Sequence, residues 1–168
     1  MVYYIINAGN CNYKEGYMDY GDEKLSTKVR NEYMADVERL SKYMNWIEKK
    51  SGKQVQSYYD GEEDYKLIQI PVYDSTLLAF VKEAEKTKLV DRNYRYVYTR
   101  YKIKSVDDEL RLLRHAHLKD IDLFKGILSS YVLRGKSKGS VWSEGIQNGV
   151  FLELMRRMTA LFFSTNMD

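Results

Sequence analysis

The chain is poor in the residues that staple, break or chelate. A single cysteine, Cys11, excludes an internal disulfide and any cysteine-based metal cluster, and fits a reducing, cytoplasmic compartment. The only proline, Pro71, confines any strand that holds it to an edge or an end. There are two histidines, His115 and His117, and their spacing sends them to different faces of a helix, so they cannot chelate one metal together. Asp120 or Asp122 is near enough in sequence to orient one of them for Ser-His-Asp chemistry, but nothing in the spacing selects that arrangement. No apolar run approaches the roughly 18 residues of a membrane span, and the opening MVYYIINAGN lacks the basic start and long apolar core of a signal peptide. Charge of one sign is also lacking: a net +3 drawn from 30% charged residues is not a polycation that binds nucleic acid by charge alone.

What is abundant is tyrosine. Sixteen tyrosines stand against five phenylalanines and two tryptophans, many amphipathic rings able to keep one end wet, which suits a contact-making surface or a tyrosine-rich core. At 168 residues and 44% hydrophobic content the chain reads as one domain with a real core. Residues 1–64 read as a strand, loop and helix region, and residues 65–163 as a helical region.

Taken in order, residues 2–8 are β-prone and stop at Gly9 and Asn10. From Lys28, Val29, Tyr33, Val37, Leu40, Met44 and Ile47 mark one helix ending near Lys49, Lys50 and Gly52. Gln54 to Asp64 reads as a polar loop, its acidic cluster a solvated one and not a calcium loop. Tyr65 to Val72 is a strand candidate, to be paired with residues 3–7. Asp74 or Ser75 caps a helix running to about Thr87, and Val90 to Tyr101 forms another with Tyr94, Val97, Tyr98 and Tyr101 on one face. Ser105 and Asp108 resemble a capping box, opening a helix with Val106, Leu110 and Leu113 inward. Asp120 caps the next, with Ile121, Phe124, Leu128 and Tyr131 inward and Gly135 just beyond its end. Ser140 opens a last helix through Trp142, Ile146, Val150, Leu154, Met158 and Leu161. The expected fold is mainly α, an α+β arrangement with a minor β element: a helical domain with a small N-terminal sheet.

Two near-motifs fail. Gly135-Lys136-Ser137 ends like a phosphate loop, but Ser130 stands where its first glycine belongs and a helix precedes it where a strand is required. Val141 to Gly145 misses the nucleophile elbow at its first glycine, which leaves Ser143 as a helix N-terminal hydroxyl. Gly145 and Gly149 lie four apart on the expected last helix, where each glycine costs about 1 kcal/mol relative to alanine. The expected compensation is close approach of the helix that carries Gly126. Lys138, Trp142, Glu144 and Asn148 surround these glycines and are candidates for a cleft. The basic-aromatic stretch Lys86 to Lys104 is the stronger candidate: Arg92, Arg95, Tyr96, Arg100 and Lys102 fall away from the apolar face and have the chemistry to contact phosphates, stack on bases or anchor a protein interface.

The segments DRNYRYVYTRY, KDIDLFKGILSSYVLRG and VWSEGIQNGVF resemble a bacterial domain family of unknown function, over about residues 65–160. The resemblance implies a mostly helical domain in a small protein, in some cases carried on a mobile element, and implies no activity. No cofactor loop or metal-ligand spacing is present in the sequence. The leading expectation is therefore a non-enzymatic protein that binds a macromolecule, most readily another protein, in the manner of a mobile-element inhibitor of a host defence system such as an anti-CRISPR. Two alternatives stand beside it: a nucleic-acid module using Lys86 to Lys104, and an enzyme with an unfamiliar site around Lys138, Glu144 and Asn148.

Overall fold

The structure, a computed structural model, describes residues 20–59 and 70–164. Among them are eight α-helices and one two-stranded antiparallel sheet, the mainly α fold with a minor β element that the sequence predicts. The helices are α1 (Tyr20–Ser41), α2 (Met44–Lys50), α3 (Ser75–Glu85), α4 (Tyr94–Arg100), α5 (Val106–His115), α6 (Ile121–Gly135), α7 (Ser140–Gln147) and α8 (Val150–Phe163). The strands are β1 (Gln56–Tyr59) and β2 (Ile70–Tyr73), with Gln56 opposite Tyr73 and Ser57 opposite Val72. No described helix is long and apolar enough to cross a membrane.

Two helices form the centre. Eleven of the fifteen residues of α6 are buried, so it is covered on nearly every side, as a helix apolar around most of its circumference must be. It meets α3, α4, α5, α7 and α8, and α8 in turn meets α1, α2, α5 and α7. Phe80 of α3, Phe151 of α8 and Tyr131 of α6 stack edge to face in the middle, with centroids 5.2 and 5.4 Å apart along the chain of rings.

Local chemistry sets several boundaries where expected. The Asp74 carboxylate accepts from the Thr76 N–H at 2.9 Å and starts α3, and the Ser105 hydroxyl accepts from the Asp108 N–H at 3.2 Å and starts α5. Elsewhere the structure departs from the sequence reading. The helix expected from Lys28 begins at Tyr20 and divides at Lys42–Tyr43 into α1 and α2, where the Tyr43 ring turns its edge onto Phe80. The polar stretch read as a loop contains β1, which is the observed partner of β2; residues 2–8 and Asp60 to Asp64 lie outside the described residues. The helix expected over residues 90–101 is confined to α4. Val106 is exposed, not inward, and the Asp120 carboxylate accepts from the His117 backbone N–H at 2.9 Å instead of capping α6. Gly135 is the last residue of α6, not the residue beyond it, and a Cβ there would fall 2.0 Å from Trp142 Nε1.

The largest correction concerns the last helix, which is two. Gly149 adopts φ +78°, the left-handed region that glycine occupies without a Cβ penalty, and the chain turns there from α7 into α8. Neither Gly145 nor Gly149 serves the helix of Gly126. Gly145 instead faces the Phe151 ring, and Gly126 is the seat for Val97 of α4, where a Cβ would come within 2.4 Å of the valine.

Candidate functional site

Three neighbouring features converge on α4. It is two turns long, contains no buried residue, and lies across α6. Its inner residues Val97, Tyr98 and Tyr101 are half-buried against the core, in keeping with the shared face expected of them. Its end is a left-handed turn: Lys102 has φ +55°, its N–H donates to Thr99 O at 3.2 Å, and the Ile103 N–H donates to Tyr98 O at 2.9 Å. This pair of bonds is the usual glycine-terminated helix end, here built with lysine at the glycine position.

The outward side of α4 carries the residues singled out from sequence. Tyr96 is 68% exposed, and Arg92, Arg95, Arg100 and Lys102 are exposed around it. Arg92, Arg95 and Lys102 make no ion pair among the described residues, and Arg100 has only a long one, 3.9 Å to Asp122. Asp91 is taken by Lys125 at 3.8 Å. Tyr96 and Arg100 border a cavity of about 200 Å³ at the α4–α6 seam, whose lining also includes Asp91, Asp122, Lys125 and Gly126.

Along the other edge of α4, Tyr94, Arg95 and Tyr98 face Ser130 and Arg134 of α6 across a groove of about 390 Å³. The rings of Tyr94 and Tyr98 stand edge to face at 6.3 Å and 85°. Arg134 Nη1 lies 3.4 Å from the Ser130 hydroxyl, its only described hydrogen bond.

Tyr98 and Arg134 are shared with a third space of about 380 Å³ between α5, α6 and α7, which also touches Glu109, Tyr131, Glu144 and Asn148. Glu109 is 5% exposed. Its Oε1 accepts from the Tyr98 hydroxyl at 2.5 Å and its Oε2 from the Tyr131 hydroxyl at 2.7 Å. Tyr131 Oη accepts in turn from Asn148 Nδ2 at 2.8 Å, and Asn148 Oδ1 accepts from the Val150 N–H at 3.0 Å, capping α8. Burial pushes the Glu109 carboxyl up, opposed by the two tyrosine hydroxyls and the Arg134 guanidinium. Burial, and then the Glu109 charge, push both tyrosine hydroxyls up as well, so they remain donors.

Of the four cleft candidates, only Glu144 and Asn148 reach one cavity. Trp142 is spent on Val132, to whose carbonyl Nε1 donates at 3.0 Å, and Lys138 is exposed away from them. Glu144 accepts from the Ser140 hydroxyl at 3.1 Å, and Ser143, expected as a helix-start hydroxyl, donates to Gln56 Oε1 at 2.6 Å. Both histidines are exposed. No cluster of metal-ligating side chains occurs among the described residues.

Sequence reasoning missed Glu109 and Arg134. The signal for Glu109 was present: it stands four residues before Leu113, on the inward stripe of α5, where an acid requires a buried partner. Two inward tyrosines, Tyr98 and Tyr131, are the donors of that chemistry. Comparison of the chain with protein-family models, curated proteins and solved structures finds nothing that matches it.

Proposed function

We propose that the chain is a binding protein whose outward α4 face, Arg92, Arg95, Tyr96, Arg100 and Lys102, docks an acidic surface of a protein partner. The observation that carries the reading is Tyr96, 68% exposed on a helix with no buried residue and ringed by guanidinium groups that lack close carboxylate partners among the described residues. Tyrosine and arginine are enriched among the residues that dominate the energetics of protein interfaces, because each brings large contact area together with hydrogen bonding. The left-handed Lys102 supports the same reading. A non-glycine residue in this conformation costs about 1–2 kcal/mol, and backbone strain of that size concentrates at functional positions. A component of a host defence system is one partner consistent with the family resemblance.

The test compares capture of a partner from bacterial lysate by the native chain, by Tyr96→Ala, by Arg92→Glu and by Lys102→Gly. Loss of one and the same partner in all three variants is expected. Lys102→Gly is the discriminating variant: relief of the left-handed penalty, less the entropy of the added glycine, raises stability by roughly 0.5–1 kcal/mol while binding falls. Retention of the partner by Tyr96→Ala and Arg92→Glu refutes the docking face. The same residues also fit a phosphate backbone, so single-stranded nucleic acid is titrated at two salt concentrations. Binding that falls steeply with salt and disappears in Arg92→Glu would replace a protein partner with a nucleic acid.

A further inference from the structure

We infer that the groove between α4 and α6 binds a phosphorylated ring, an aryl phosphate or mononucleotide, with Arg95 and Arg134 on the phosphoryl group and Tyr94 and Tyr98 against the ring. This site lies beside the outward face of α4 and shares only Arg95 with it: Arg134, Ser130, Tyr94 and Tyr98 belong to the groove and not to that face, whereas Tyr96 and Arg92 do not border it.

The groove is cationic. Two guanidinium groups from different helices border one groove of about 390 Å³, and none of the residues lining it is acidic. Neither is in an ion pair among the described residues. Glu109, with both oxygens engaged by tyrosine hydroxyls, and Glu144 border the adjoining cavity that Arg134 shares, not this one. Two guanidinium groups on one groove, with Arg134 partly offset by the neighbouring Glu109 charge, suit a phosphoryl group, which carries about −1.5 to −2 charges at neutral pH and accepts forked guanidinium bonds. The buried Ser130 hydroxyl, on the wall of the groove, accepts from Arg134 Nη1 at 3.4 Å and helps to orient that guanidinium.

The shape of the groove suits a ring beside that charge. Tyr94 and Tyr98 stand at 85° to each other, so together they offer a face and an edge to a planar group. The volume falls within the roughly 300–1,000 Å³ of small-ligand sites. Tyr98 is also fixed from behind, because its hydroxyl is held by Glu109 at 2.5 Å. One wall of the groove is thus formed before a ligand arrives.

The test follows tyrosine-ring and arginine side-chain NMR resonances of the full chain during titration with phenyl phosphate, AMP, benzoate and inorganic phosphate at low salt. Saturable shifts of Tyr94 and Tyr98 with phenyl phosphate or AMP are expected, and the tighter of the two identifies the source of the ring. Arg95→Ala and Arg134→Ala should each weaken binding by about tenfold or more, the scale of one lost charged hydrogen bond. Arg134→Ala disturbs the surroundings of Glu109, so the exposed Arg95→Ala carries the decision should the other variant unfold. Tyr96→Ala should leave the titration unchanged, which separates failure here from failure of the docking face. Equal binding of inorganic phosphate, an adventitious ion only, overturns the assignment. Equal binding of benzoate, the absence of saturation, or an unaltered Arg95→Ala titration overturns it too.

Discussion

Replacing Tyr131 with phenylalanine removes one oxygen and breaks two hydrogen bonds. The ring keeps its place, since its edge contact with Phe151 at 5.4 Å needs no hydroxyl and the side chain is only 4% exposed. What changes is Glu109, whose Oε2 loses the donor at 2.7 Å, and Asn148, whose Nδ2 loses the acceptor at 2.8 Å. Glu109 is 5% exposed, so water does not easily replace the donor, and a lost hydrogen bond to a charged group costs about 1.5–3 kcal/mol. Asn148 is half-buried and can turn to water, which limits its share to about 0.5–1 kcal/mol. The expected loss is therefore about 2–4 kcal/mol, a large part of the roughly 5–15 kcal/mol of an ordinary domain. Urea unfolding followed by far-UV circular dichroism measures it, with an unchanged dependence on urea to show that the unfolded state is the same. Tyr98→Phe should cost less, because Tyr98 is half-buried, whereas the buried Tyr131 hydroxyl also supports Asn148. A loss under about 0.5 kcal/mol for Tyr131→Phe would show that Glu109 does not depend on these hydroxyls and would sink the network as a source of stability.

Two further outcomes follow from named contacts. Burial raises the Glu109 carboxyl above its ordinary 4.5, so the folded chain holds that proton more tightly than the unfolded one; stability is therefore lost as pH rises from 4.5 through the folded value, and Glu109→Gln should abolish that part of the decline in unfolding measured from acid to neutral pH. Gly126→Ala drives a Cβ to 2.4 Å from Val97 and should cost about 1–3 kcal/mol in thermal or urea unfolding, with α4 displaced, whereas Val97→Ala introduced with it should recover part of the loss.

The parts of the fold that sequence discloses are those fixed within a few residues. Asp74 and Ser105 bond to backbone groups two and three positions on, so their helices start where their chemistry says. The break at Gly149 was hidden for a different reason. Trp142, Ile146, Val150, Leu154 and Met158 keep helical spacing straight across it, because the last four are buried on both sides of the turn. β1 was hidden because Gln56-Ser57-Tyr58-Tyr59 has no alternation of its own; it is a strand through pairing with β2, a contact distant in sequence. Within the candidate site, the exposure of Tyr96 follows from periodicity, and the structure agrees. The fate of Trp142 does not follow, since its indole is drawn off by Val132 and by the space that Gly135 leaves.

A short helix with no buried residue presents an interface well only if something else holds it still. Here α4 is held at three places: Val97 seated on Gly126, the Asp91 N–H donating to the Ser129 hydroxyl at 2.7 Å, and Tyr98 bonded to Glu109. The last of these continues through Tyr131 and Asn148 to the start of α8, so the orientation of α4 is tied to the turn at Gly149 by an unbroken series of hydrogen bonds. Such ordering is established on folding, and in the proposed docking a partner would meet a backbone held in place beforehand, which lowers the entropic cost of association. The buried carboxylate thereby reaches the surface: with each oxygen bonded to a tyrosine hydroxyl, it joins α4 to the helices behind it.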